Sequence, residues 1–312
     1  YTQYVVSAYP STIIQGFDIS KNYIFTVQNL YSTSTDMNTN SLFINKHPRP
    51  GVSGSDSNMS LYGFGHGTNI AFEWANSKYN DTSDAYMWLA GGHYTWNNDN
   101  SKFSFDVTRD GAFPTRLAYH GNSTYTSNSV SFDTRSSVSR NDIKLYNGKN
   151  YSTTALSSKY YNIYKFYKTR SNEQVAIDTT NNLFIIRVTG SSGQIFSIYK
   201  LTDIKNSSVD YIDGNIPKLA TFTIPKTPLD FQGFDIAGDY VYVYYGESNR
   251  NGTQNSQGYV AMYDFLGNEK FNKKVYSTST SIFEEPEGIK VYKESGKYVA
   301  YLGSSLVSGS QK

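Results

Sequence analysis

The sequence predicts an all-β protein, a five-bladed β-propeller of four-stranded antiparallel blades. Three observations predict it. The first is a word that returns unchanged: Gln15-Gly16-Phe17-Asp18-Ile19 recurs as Gln232-Gly233-Phe234-Asp235-Ile236. Each copy is followed, after the same gap, by an apolar run, Tyr23-Ile24-Phe25-Thr26-Val27 or Tyr240-Val241-Tyr242-Val243. A word repeated together with its spacing means one structural unit used more than once. The second is a set of looser copies at Ala71-Phe72-Glu73-Trp74, Ala176-Ile177-Asp178 and Glu287-Gly288-Ile289-Lys290-Val291, three of the intervals being about 55 residues and one about 105. The third is composition. Aromatic residues make up 16% of the chain, which suits pleated, half-buried surfaces, and no stretch has the periodicity of a long amphipathic helix.

Taken in order, Tyr4-Val5-Val6 reads as an edge strand able to close the ring by completing the last blade. Blade one runs from Gln15 to about Asn58 and carries the rigid loop His47-Pro48-Arg49-Pro50-Gly51. Blade two enters through Gly63-Phe64-Gly65-His66-Gly67 and continues past Trp88 and Trp96. Arg116-Leu117-Ala118-Tyr119 reads as a strand within otherwise loop-like sequence, and Asn147-Gly148 is a hairpin signal. Blade three uses Ala176 to about Ile224, and Pro225 and Pro228 mark the crossing to blade four. There Tyr259–Asp264 and a turn at Leu266-Gly267-Asn268 complete four strands. The expectation is one domain over residues 1–312, with a long insertion or connection at about 97–165.

Composition narrows the function. The net charge is +2, with 28 Lys plus Arg against 26 Asp plus Glu, and no basic block stands out, so nucleic acid is not an expected partner. No apolar run is long enough to span a membrane. The absence of Cys fits a secreted protein from a bacterium that does not use disulfides, although a cytosolic protein can lack them too.

The repeated acids Asp18, Glu73, Asp178 and Asp235 stand near the start of each blade. A glycosidase needs two carboxyl groups in different environments at a set separation. Equivalent positions in successive blades instead give matching environments, so the expected role is to tie each blade to the next through backbone amides. No catalytic residue is assigned, with a glycoside hydrolase using two of these acids as the runner-up. Gly63, Gly65 and Gly67 lack the Lys of a phosphate loop, and His47, His66, His93 and His120 lack metal-ligand spacing, so no cofactor or metal is expected. The first polar residue of the word is Gln15, Gln232 or Glu287, with Asn69 nearby in blade two and Glu173 in blade three. These are expected to ring one mouth of the central channel.

Several segments together resemble the helveticin J family of large bacteriocins of lactic acid bacteria. They are Gly65-His66-Gly67-Thr68-Asn69-Ile70-Ala71-Phe72-Glu73-Trp74, Pro114-Thr115-Arg116-Leu117-Ala118-Tyr119, Gln232-Gly233-Phe234-Asp235-Ile236 and Glu287-Gly288-Ile289-Lys290-Val291. The propeller is also similar to the receptor-binding heads of phages of Gram-positive hosts, which bind wall teichoic acid. The resemblance implies a secreted, extracellular or cell-wall-associated protein that binds a bacterial cell-wall polymer or surface glycan, with a phage receptor-binding head as the alternative. The expected contacts are Gln15, His66, Asn69, Gln232 and Glu287 at the mouth, with Trp96, Arg116 and Tyr119 on longer connections. Arg116 is the expected cation for an anionic polymer.

Overall fold

A computed structural model describes residues 14–30, 41–54, 56–62, 69–74, 85–91, 94–97, 102–105, 113–119, 131–133, 144–146, 151–155, 161–164, 166, 173–209, 211–247, 257–277 and 283–307. Strands dominate them. The first sheet begins with β1 (Ile14–Ile19), β2 (Tyr23–Leu30), β3 (Ser41–Pro48) and β4 (Ser57–Tyr62), an antiparallel meander. The second uses β5 (Ala71–Glu73) and β6 (Tyr86–Gly91). After it come a separate hairpin, β7 (Tyr94–Asn97) with β8 (Lys102–Phe105), then β9 (Phe113–Ala118), β10 (Ser131–Asp133), β11 (Lys144–Tyr146), β12 (Tyr151–Ala155) and β13 (Tyr161–Ile163).

The third sheet holds β14 (Gln174–Asp178), β15 (Leu183–Thr189), β16 (Gly193–Lys200) and β17 (Ala220–Pro225), with the short helix α1 (Leu201–Lys205) after β16. The fourth holds β18 (Asp230–Ala237), β19 (Tyr240–Glu247), β20 (Gln257–Asp264) and β21 (Glu269–Ser277). The fifth pairs β22 (Phe283–Glu294) with β23 (Lys297–Val307).

The fold is therefore all-β, assembled from small sheets that are antiparallel but for one pair. The third and fourth sheets are the expected four-stranded meanders. The others differ from a uniform set. The second runs β13-β9-β6-β5, so β9 and β13 from the 97–165 region supply its outer half. The first grows to seven strands, because β10 adds parallel to the open edge of β4 and carries β11 and β12 with it. The fifth has two strands among the described residues. The closing strand expected within residues 1–12 lies outside them.

The first strands of the five sheets are neighbours in cyclic order. β1 lies by β5, β5 by β14, β14 by β18, β18 by β22, and β22 by β1. They meet through side chains, since each belongs to its own hydrogen-bonded sheet. Between the sheets lie apolar layers. Phe25, Val27 and Ile44 meet Phe72 and Trp74 between sheets one and two. Trp88 meets Tyr164 and Phe184 between two and three. Phe196 and Phe222 meet Phe234 and Val243 between three and four, and Tyr242 and Tyr244 meet Ile289 and Val291 between four and five. Alternation explains these layers. Successive strand residues face opposite sides, so one strand feeds two layers. Rings such as Phe25 and Phe72, with centroids 4.2 Å apart, contribute about 0.5–1.5 kcal/mol per pair beyond the area they bury.

Three of the four repeated acids make the expected ties, while Glu73 is bonded by side chains instead. Asp18 accepts the Phe72 amide of the second sheet at 2.7 Å. Asp178 accepts the Gly238 amide of the fourth at 3.0 Å, and Asp235 the Val291 amide of the fifth at 2.7 Å. A charged acceptor on a buried amide contributes about 1.5–3 kcal/mol.

Candidate functional site

The repeated word has a structural meaning beyond strand propensity. In β1, Ile14 pairs with Gln28 and Gly16 with Val27, leaving Gln15 as the extra residue of a bulge. Gln232 is skipped in the same way between Phe231 and Gly233, and Glu287 between Pro286 and Gly288. The polar residue of the word is thus the bulged residue in three sheets of five. A bulge re-aims a side chain and bends its strand. The glycine that follows allows the first strands to converge. Gly233 has φ +156° and Gly288 φ +141°, and a Cβ on Gly233 would stand 3.0 Å from the Gly288 Cα.

The bulges sit where the first strands begin, so Gln15, Gln232 and Glu287 gather at one end of the molecule, here called the mouth. Asn69 joins them from the second sheet. It adopts φ +58°, a left-handed conformation that Asn tolerates. Its Nδ2 donates to the Val175 carbonyl at 2.5 Å, and its Oδ1 accepts the Phe234 amide at 3.5 Å. One side chain therefore links sheets two, three and four. Gln15, Asn69, Glu173 and Glu287 are all buried, and Gln232 is half-buried. The polar residues form the packed throat of the mouth, and Gln232 is its accessible member.

Beside Gln232 stands a group that sequence reading missed. Arg187 on β15 pairs across the sheet with Gln174, at the mouth end of β14. Its Nη1 donates to Gln174 Oε1 at 3.3 Å, and its guanidinium lies 4.2 Å from the centroid of Phe231, the residue before Gln232. A planar cation stacked on a ring is held in a fixed orientation. The signal was present: Arg187 is a charge set between the apolar run Leu183-Phe184-Ile185-Ile186 and Val188.

Two expected contacts lie elsewhere. β9 runs away from the mouth, so Arg116 and Tyr119 sit toward the opposite end. Arg116 is engaged there by Glu73: its Nε donates to Oε2 at 2.7 Å and its Nη2 to Oε1 at 3.1 Å. Lys205 of α1 donates to Glu73 Oε1 at 2.5 Å and Trp88 Nε1 to Oε2 at 2.7 Å. Arg116 also lies over the Tyr86 ring, 3.3 Å from its centroid. Burial pushes the Glu73 carboxyl up, but the hydrogen bond and charge of Arg116, followed by those of Lys205, outweigh it and hold the group below the usual carboxylate range. Arg116 thus serves to neutralise a buried acid. Tyr119 packs edge-on against Phe25 and Phe72.

His66 lies outside the described residues. Trp96 lies on β7, opposite Phe103, in the hairpin inserted between the mouth-side ends of β6 and β9; its side chain is also outside the description.

Topology gives the two ends different characters. The strand ends that flank residues 31–40, 63–68, 92–112, 248–256 and 278–282 all point to the mouth. Opposite lie tight turns such as Ser20–Asn22, Thr179–Asn182 and Gly238-Asp239, although the strand ends that flank 75–84, and the α1 segment, also fall at that end. Among the described residues no group of three or more His, Cys, Asp or Glu is placed to hold a metal. None of their helices is long and apolar enough to cross a membrane.

These features define an all-β protein of small sheets whose first strands converge on a polar throat. No family model matches the chain, and no curated protein matches it, so the helveticin resemblance has no counterpart in either comparison. Among solved structures the chain is similar to the tail fiber of Staphylococcus aureus phage P68, with a TM-score of 0.58 and 19% identity. The match covers 97% of this chain and 49% of that one, so the chain spans about half the length of the fiber protein it resembles. At this identity the likeness is one of fold.

Proposed function

We propose that the chain is a single five-bladed β-propeller, residues 1–312, that acts outside the cell as a receptor-binding head. Its ligand is a polymer of a bacterial host surface, wall teichoic acid or a surface glycan, taken at the mouth. The observation that carries this reading is the fold likeness to a phage tail fiber over nearly the whole chain. The propeller is supported by the cyclic adjacency of the five first strands. The choice of end is supported by the strand ends there, which flank most of the longer connecting sequences, since binding residues commonly sit on loops held by a rigid scaffold.

The accessible hydrogen-bonding group Gln232 suits a hydroxyl-rich polymer, and buried Arg187, stacked on Phe231, supports the strand that carries it. The ligand is held without being turned over. In keeping with this, Asp18, Asp178 and Asp235 are committed to backbone amides of neighbouring sheets and Glu73 to Arg116 and Lys205.

The test is retention on purified Gram-positive cell walls, with and without teichoic acid stripped. Retention lost on stripping supports the teichoic-acid form, and equal retention supports a glycan. No retention on any wall of a broad panel overturns the proposal.

A further inference from the structure

The layer between sheets five and one differs from the other four. Its apolar members are Phe17, Ile19 and Tyr292, flanked by Ile24 and Tyr301. The rest of the layer is polar. Phe17 pairs with Thr26 and Thr26 with Asn45, while Ile24 pairs with His47. Directly opposed residues share a face, so Thr26, Asn45 and His47 look the same way as Phe17 and Ile19.

The facing strand is β22. A Cβ on Gly288 would meet the Phe17 ring at 3.5 Å, and the Tyr292 hydroxyl donates to Asp18 and stands 3.3 Å from the Ile19 amide, which it accepts. Residues 288 and 292 therefore face β1, and Lys290 midway between them faces it too. Lys290 occupies the position that Asp18 and Asp235 hold in their copies of the word, two residues after the glycine. The acid-to-amide tie made elsewhere is replaced at this seam by Tyr292.

Lys290 is 2% exposed, Thr26 1% and His47 6%. Among the described residues, Lys290 Nζ, Thr26 Oγ1 and His47 Nε2 each lack a hydrogen-bond partner. Asn45 and Gln28 satisfy one another at 2.5 Å and leave these three atoms aside. A buried ammonium without a counter-charge is strongly unfavourable, and buried charges are as a rule paired. The three atoms belong to residues that face one layer, and the ammonium among them calls for an anionic partner.

We propose that this seam holds a small inorganic anion of halide size, bound by Lys290 Nζ and Thr26 Oγ1. The size follows from the packing: a Cβ on Gly303 would come within 2.7 Å of the Phe17 ring, so the layer is close-packed beside the site. An ammonium and a hydroxyl both donate, as a halide requires. The anion supplies the negative charge that Asp18, Asp178 and Asp235 provide in their copies and so closes the ring between its last and first sheets. The site is buried and is independent of the surface-binding reading.

The experiment is thermal unfolding in sodium chloride against sodium gluconate at equal ionic strength, with bromide-soaked crystals alongside. Replacing gluconate by about 100 mM chloride is expected to raise the Tm by roughly 3–5 °C for millimolar affinity. In Lys290→Met the difference should vanish, and in Thr26→Val it should shrink. Bromide should give an anomalous peak within about 3.5 Å of Lys290 Nζ. A wild-type Tm indifferent to chloride, or a bromide map with only water or nothing at Nζ, overturns the site. The bromide map decides even where Lys290→Met fails to fold.

Discussion

The Asn69 carboxamide donates to the Val175 carbonyl and accepts from the Phe234 amide, so one side chain of the second sheet holds the first strands of the third and fourth. Asn69→Ala removes both bonds and leaves a non-Asn residue at φ +58°. We expect a loss of about 2–4 kcal/mol in urea unfolding. Asn69→Gly removes the bonds but suits the backbone, and should be about 1 kcal/mol less damaging than Ala. Equal stability of both variants with the wild type would show that the throat is not held by this residue.

Glu73 sets the acid limb of stability. Its folded carboxyl is held below the ordinary range. A depressed pKa contributes stability that is present above the unfolded value, about 4.3, and is lost as pH falls through the folded value. Wild type should therefore lose stability below about pH 4 more steeply than Glu73→Gln. At neutral pH Glu73→Gln leaves Arg116 without its carboxylate and should lower stability by about 3–5 kcal/mol. Parallel pH profiles for the two proteins would contradict this.

Gly233 is fixed by its neighbour. Gly233→Ala places a methyl about 3.0 Å from the Gly288 Cα at a φ that favours glycine. The two first strands must separate, and we expect about 1–3 kcal/mol of destabilisation. Gly296→Ala, in the exposed β22–β23 turn at the far end, serves as a comparison for the backbone term alone, since at φ +82° its new methyl would meet nothing within 4 Å. A loss at Gly233 no greater than at Gly296 would count against close approach at the bulge.

Binding should follow the mouth. Gln232→Ala is expected to weaken wall retention directly, and Arg187→Met through the Phe231 strand that the buried guanidinium supports, each about 5–30-fold, as loss of about 1–2 kcal/mol requires. Leu266→Ser, on an exposed turn at the opposite end, should leave retention unchanged. With a net charge of +2 the salt dependence should be shallow. Retention lost in Leu266→Ser but kept in the mouth variants would place the binding surface at the other end.

Much of the framework was legible in the sequence. The word around Gln15 and Gln232 located the first strands of two sheets, and the recurring acid two residues after glycine foretold the ties of Asp18 and Asp235 to the next sheet. Both are local facts, because strand alternation and the spacing of a repeat are written along the chain. Arg116 is the counter-case. As a cation on a long connection it read as a contact for an anionic polymer, but its partner Glu73 lies 43 residues away, and no local pattern reveals a pairing made across a sheet.

What the sequence by itself determined is the all-β class, the repeated unit and the order of its copies, since these rest on periodicity and on which residues each strand can turn inward. Only the tertiary structure decided what each polar residue does. It made Gln15, Gln232 and Glu287 bulge residues, spent Arg116 on a buried acid, brought Arg187 to the mouth and left Lys290 in the seam. The physical reason is that a polar side chain is assigned by whatever donor, acceptor or charge packing brings within hydrogen-bond reach, and for these residues that group arrives from another strand or another sheet.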